Sequence, residues 1–388
     1  MKNLAVASTR LYYIDWLRVL AMLIIFFFHN SRLFDKYGWH LKNTETSIIA
    51  DIWVDFCNPW LMPLFFILAG ASVFYALKSR TASGFAKERT LRILIPLVTL
   101  GWFIIAPPQI FIERLTNGDF SGNFFQFYST QYFNGFYGLG GNFGLVPLHM
   151  WFLWLLFIYS LILIPLFLPK KGTGESLFSR FATLFRKPWT LVVPMLIIVL
   201  LEMSLNSLGD LLSWGGGWNH LSYLLFFISG YLIFSNIKIQ ENIKRYSLLA
   251  LIGYLVLQTA HLLLMSGTIQ LDFLDGPVGI IVHWVTVTLR SWLFIFAVLG
   301  FSSRFLNFNN RFLGYANEAV LPFYILHQTA IVVIGFFVIQ GSMGIAPKYL
   351  ITTATSFIAI MTIYELLVRR VNILRFLFGM RWKRKQIN

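Results

Sequence analysis

The sequence predicts an all-α, polytopic integral membrane protein of about ten transmembrane helices, with both termini cytoplasmic. Three observations carry this. First, 57% of the 388 residues are hydrophobic and only 12% are charged, against about a quarter charged in soluble domains; an 18% aromatic content with 40 Phe suits lipid-facing surfaces and interfacial belts. Second, apolar runs of spanning length recur at roughly 12–34, 58–78, 93–112, 149–168, 189–206, 219–236, 247–265, 278–301, 319–340 and 349–368. Third, if the N-terminus lies in the cytoplasm, 25 of the 31 Lys and Arg residues fall on that side, while Asp35, Glu45, Asp51, Asp55, Glu113, Asp119, Asp210, Asp272 and Asp275 gather on the other. That asymmetry is the positive-inside pattern.

The first run, Tyr13–Phe34, carries Asp15 and Arg18 near one end and His29 near the other. It reads as a retained span rather than a cleaved leader, because its apolar stretch is too long and charges interrupt it. Pro96, Pro107 and Pro108 mark kinks or ends in the third run. The fifth run is short and ends in the polar Glu202 and Asn206. The segment from Glu113 to Leu148 is too long for a plain connector and interleaves Gly and Asn with ten Phe and Tyr residues, Phe120 to Phe143. Two readings stay open for it and for WGGGW at Trp214–Trp218: aromatic faces stacking on a glycan, or rings dipping into the bilayer interface. Residues 1–368 read as one transmembrane domain. Residues 369–388, alternating Arg with Leu, Phe and Val, read as a basic interfacial tail held by anionic lipid.

Several function classes drop out. The net charge of +15 sits between apolar spans rather than on a solvated domain, which argues for membrane lipid and against nucleic acid. Cys57 is the single cysteine, so no intrachain disulfide forms. There is no HExxH, no Cys/His metal spacing, no GxSxG and no P-loop, so no metal is expected.

Polar groups inside a span are costly and mark functional sites by default. His29 lies eleven positions after Arg18, close to three helical turns, so both leave one face about 16 Å apart along the axis. Arginine suits an anionic group, and a neutral imidazole can take a proton from a hydroxyl; a snorkelling Arg18 paired with Asp15, and a His29 bonded to a neighbouring helix, account for the same pattern. Arg89 and Arg92, at i and i+3 in KERTLRILIP, can grip phosphates or simply anchor the span. His149 and His327 are further candidates, each equally explained by structure. Arg290, seven residues from His283 in the eighth run, needs a counter-charge, for which Glu202 or a bound anion are the options.

YIDWLRVLAMLIIFFFH, NPWLMPLFFILAGAS, KERTLRILIP, HMWFL and LPFYILHQ together resemble, in that order, the acyltransferase-3 family of integral membrane O-acyltransferases, nearest to its branch of periplasmic glucan succinyltransferases. The resemblance implies about ten helices in a bacterial inner membrane, and transfer of an acyl group, acetyl or succinyl, from cytoplasmic acyl-CoA to a hydroxyl of an extracytoplasmic carbohydrate. The family's arginine–ten residues–histidine motif falls on Arg18 and His29, implying a catalytic histidine. Its RxxR motif falls on Arg89 and Arg92, implying donor binding. His149 and His327 match recurrent positions. No esterase-like domain is appended, so acceptor recognition is expected from the chain's own loops.

The expected mechanism places donor phosphates at Arg89 and Arg92 and the pantetheine arm along the Arg18–His29 face, in one cavity open to both sides. His29 serves as general base or carries the acyl group itself, and Arg18 or Arg290 stabilises the oxyanion. The alternative is a transporter or flippase of a glycan or acylated precursor, for which the half-sequence symmetry common in transporters is not evident.

Overall fold

A computed structural model describes residues 10–168, 176–205 and 213–383. In chain order they form α1 (Tyr12–Ser31), α2 (Ile48–Cys57), α3 (Leu61–Leu77), α4 (Ala82–Asn117), α5 (Phe124–Thr130), α6 (Leu148–Ile162), α7 (Pro188–Leu205), α8 (His220–Ser235), α9 (Ile237–Met265), α10 (Pro277–Phe305), α11 (Arg311–Ile339), α12 (Ile345–Val368) and α13 (Asn372–Leu377). Each expected run overlaps one of these helices; Asn206 at the end of the fifth run and Asp210 after it lie outside the described residues. Among the described residues eight segments are long and apolar enough to cross a membrane, the α2–α3 pair counting as one, while α6 and α8 are shorter apolar helices. Among the described residues the strand content is one isolated bridge, Phe136 to Phe143. The fold class is therefore the all-α membrane bundle read from the sequence.

Side-chain caps set several helix starts. Thr81, Asn123, Asn219, Asn236 and Asn310 each accept a backbone N–H from the first turn of the helix that follows. Asn123 and Gln126 complete a reciprocal capping box. The bundle is tightened by glycine. A Cβ on Gly70 would lie 2.0 Å from the Phe227 carbonyl oxygen, and one on Gly230 would lie 2.1 Å from that of Ile67. The backbones of α3 and α8 thus touch at both ends of the contact, the close approach that small residues permit in apolar bundles.

Helix α4 is not regular. It winds as π-helix over Thr90–Leu94 and again over Leu97–Ile105. Pro96 removes a backbone donor between these segments, and the hydroxyls of Thr90 and Thr99 bond back to the carbonyls of Ala86 and Ile95, which favours bending. This is the stretch that carries Arg89 and Arg92.

Candidate active site

One face of α1 looks into two cavities in succession. Arg18 and Met22 line the first, and Ile25 and His29 line the second, so the eleven-residue spacing does put both polar groups on one face. The first cavity, of about 330 Å³, lies at the basic end of the bundle, where Arg18, Ser72, Arg80, Glu88, Arg89 and Arg92 meet apolar side chains of α3, α6 and α11. Arg18 is held by Asp15 Oδ1 at 2.9 Å and by the hydroxyl of Ser72. Asp15, nearly buried, is shared with Arg10 at 2.7 Å. It therefore orients Arg18 and presents no free charge of its own. Arg89 lies over the Phe85 ring, 4.8 Å from its centroid. Arg92 Nε donates to the Gly379 carbonyl at 3.0 Å.

The second cavity, of about 960 Å³, opens at the opposite, loop-covered end. His29, His149 and Gln328 form its polar floor; Trp39, His40, Tyr137, Trp151, Trp214 and the backbone of Gly215–Gly217 form its walls. The long loop after α4 supplies the cover. Arg114 Nε donates to Asn142 Oδ1 at 2.8 Å and its Nη2 to the Gly141 carbonyl at 3.1 Å, pinning a Gly-rich hairpin. Tyr137 OH donates to Glu113 at 2.8 Å, and His40 bonds the same carboxylate. Burial, with the neighbouring Glu113 charge adding to it, pushes the Tyr137 phenol above its ordinary value, so it stays a donor at neutral pH. Of the two sequence readings, the structure adds that Phe136, Tyr137, Leu139 and Trp214 are wall residues of a cavity.

Three histidines meet here, His29 and His149 on the cavity floor and His327 buried beneath them, and their hydrogen bonds fix their tautomers. His327 Nδ1 lies 2.6 Å from the Tyr324 carbonyl oxygen, three residues earlier on α11. A carbonyl only accepts, so this nitrogen carries the proton and, in the neutral ring, Nε2 is an acceptor. His327 Nε2 lies 3.0 Å from His29 Nδ1, so His29 Nδ1–H donates. His29 Nε2 is left with a free lone pair beside the cavity. The same reasoning makes His149 Nε2 a donor to Tyr324 oxygen at 3.2 Å, with His149 Nδ1 facing the Gln109 amide at 3.5 Å. The His29 ring is stacked on Trp39 with centroids 6.0 Å apart, which holds its plane. A neutral imidazole with a fixed, unprotonated nitrogen in a large cavity is equipped to take a proton from a hydroxyl.

Comparison with known proteins bears on what such a site is for. A family model described as an acyltransferase domain matches residues 11–365. The chain belongs to the acyltransferase-3 family. Among curated proteins it is 27% identical over 108 residues to the glucans biosynthesis protein C of Shigella dysenteriae serotype 1 (strain Sd197), and 26% identical over 108 residues to that of Escherichia coli strain K12. The matched stretch spans 28% of this chain and 28% of those relatives' length. No solved structure matches.

In this acyltransferase-family protein the motif residues separate into two groups. His29 and His149 line the loop-end cavity, with His327 buried behind His29; Arg18, Arg89 and Arg92, with Asp15 behind Arg18, belong to the basic-end cavity. The single cavity expected from the sequence is divided. Tyr324 is common to both linings, and its hydroxyl donates to the His149 carbonyl at 2.5 Å, which keeps the ring between the two spaces. Arg18 stands about 16 Å from His29 along α1, too far to stabilise an oxyanion there.

Arg290 belongs to neither cavity lining. Its counter-charge is Asp55, at 2.9 Å, rather than Glu202 or an anion; Gln258 bonds Arg290 Nε at 3.0 Å and His261 bonds Asp55 at 2.8 Å. Glu202 instead accepts the backbone N–H of Asn219 at 3.0 Å. Arg290 is a buried clasp between α2, α9 and α10. Sequence reasoning missed Asp55, because α2 is too short to span and was not read as a helix. Tyr324 lies within LPFYILHQ but was given no role there, and Gly379 lies in the tail to which no chemistry was assigned.

Proposed function

We propose that this protein is a membrane O-acyltransferase that moves an acyl group, acetyl or succinyl, from acyl-CoA to a hydroxyl of an extracytoplasmic glycan. The observation that carries the reading is the unprotonated His29 Nε2, held toward the loop-end cavity by His327. The excess of basic residues on one side supports a cytoplasmic orientation for the Arg18–Arg89–Arg92 end, and the bacterial relatives favour an inner membrane. Family membership supports group transfer, and the names of the glucan relatives favour a carbohydrate acceptor.

Acyl-CoA approaches the basic end, its phosphates against Arg89 and Arg92 and its pantetheine arm past Arg18. The acceptor enters the loop-end cavity between Trp39, Tyr137 and Trp214. His29 Nε2 takes the proton of the hydroxyl as its oxygen attacks the thioester carbonyl. The tetrahedral intermediate then expels the thiolate, the C–S bond breaks, and the proton on His29 passes to sulfur, giving the ester and free coenzyme A. For the thioester to reach His29, the Tyr324 ring swings aside. The lost hydroxyl bond to the His149 carbonyl costs about 1 kcal/mol, small enough for the donor's own contacts to offset.

The decisive experiment uses purified protein in proteoliposomes, acyl-labelled acyl-CoA on the basic-end side and glycan on the other. An alkali-labile label on the glycan supports transfer. Glycan crossing the bilayer with no label attached would support the transporter reading instead.

A further inference from the structure

The basic end holds an arrangement in the C-terminal segment, to which the sequence reading assigned no chemistry. Val371 to Lys383 leaves α12, forms the short α13, and folds back under α4 and α11. Arg375 nails this turn in place. It is nearly buried, pairs with Glu318 of α11 at 2.7 Å, and donates to the carbonyls of Arg369 at 3.3 Å and Arg381 at 2.9 Å. Phe378 and Met380 are buried in the main core. Between them, Gly379 has φ +69°, and a Cβ there would sit 2.4 Å from the Arg92 carbonyl oxygen. Only glycine meets both demands, and its own carbonyl takes the Nε–H of Arg92.

This fold-back brings a further guanidinium to the mouth of the basic-end cavity. The Glu88 carboxylate faces Arg80 at 2.7 Å, Arg92 at 3.4 Å and Arg381 at 3.9 Å. With Arg89 next to it in sequence, one carboxylate stands among four guanidiniums. Among the described residues Glu88 is the one carboxylate paired with Arg80, Arg92 and Arg381, and the Arg381 side chain is 76% exposed and open to a ligand. Guanidiniums grouped in this way match phosphate oxygens.

We propose that the C-terminal segment completes the donor site: Gly379 is a positioning residue that aims Arg92, and Arg381 binds the phosphate-bearing end of the acyl donor directly. This rests on the donor-site reading given above. Because Arg381 is exposed, Arg381→Ala removes charge without disturbing packing. It should raise KM for acyl-CoA about three- to ten-fold, leave kcat unchanged, and leave KM for the matching acyl-pantetheine, which lacks the nucleotide phosphates, unaltered. Arg381→Lys should fall between. Gly379→Ala should show the same selectivity for acyl-CoA through displacement of Arg92; if it fails to fold, Arg381→Ala decides alone. An equal change for both donors, or none for either, overturns the assignment. Arg92→Ala run alongside separates the failures. If Arg92→Ala weakens acyl-CoA selectively and Arg381→Ala does not, only the tail's role is lost. If neither variant discriminates between the donors, the donor-site reading falls as well.

Discussion

His327 carries the sharpest test of the proton-transfer geometry, because it touches the base without facing the acceptor. Its Nε2 is the acceptor that keeps the proton on His29 Nδ1, and its own Nδ1 is committed to the Tyr324 carbonyl. His327→Phe keeps a ring of similar size in a fully buried position and removes the acceptor. The His29 Nδ1–H then loses its partner, and the tautomer with Nε2 protonated, useless as a base, competes. General-base catalysis is typically worth about 10²- to 10⁴-fold. A variant that loses control of the tautomer while keeping the imidazole should forfeit the lower part of that range, about 10²-fold in kcat, or about 2.7 kcal/mol of barrier. His327→Gln retains a carbonyl oxygen able to accept from His29 and should recover most of the rate, to within about ten-fold of the parent. Steady-state transfer measured at saturating donor separates these cases, with donor KM as the internal control, since His327 does not line the basic-end cavity proposed for the donor. Equal loss in the Phe and Gln variants, or no loss in either, would refute the tautomer argument.

Other expectations follow from the packing. Asp55→Asn leaves the guanidinium of Arg290, 1% exposed, without its countercharge, and should destabilise the bundle by about 3–5 kcal/mol. Thermal unfolding in detergent measures this, and the folded fraction should keep its kcat. Gly70→Ala forces a methyl group into the Phe227 carbonyl and should cost about 1–3 kcal/mol by parting α3 from α8; an unchanged midpoint would contradict the close contact. Tyr324→Ala opens the partition between the cavities, and acyl-CoA hydrolysis measured without acceptor should rise. Arg89→Ala with Arg92→Ala should raise donor KM at least ten-fold, read against an unchanged KM for the acceptor.

Much of the fold was legible because membrane spans announce themselves by length and apolarity, and because a helix of known pitch turns the Arg18–His29 spacing into a statement about one face. The pairings were not legible. Asp55 finds Arg290 across 235 positions, and only packing of α2 against α9 and α10 brings them together. Arg89 and Arg92 read as i and i+3 neighbours on one α-helix, whereas Arg89 ends the α-helical part and Arg92 lies in the π-wound Thr90–Leu94, its orientation set by Gly379, 287 residues away. His149 and His327 looked as much like belt or core residues as functional ones. What distinguishes them is convergence on the Tyr324 carbonyl, a property of three-dimensional geometry that no local pattern encodes. Tyr324 itself is invisible as a partition until both cavities are seen.

Under the proposed function, His29 is the group that handles the acceptor's proton. The most direct measurement is transfer of labelled acyl group by purified His29→Ala protein, with donor binding measured on the same sample. The expected result is a folded protein that binds acyl-CoA with parental affinity and forms no labelled ester above background. Ester formation at the parental rate would contradict it.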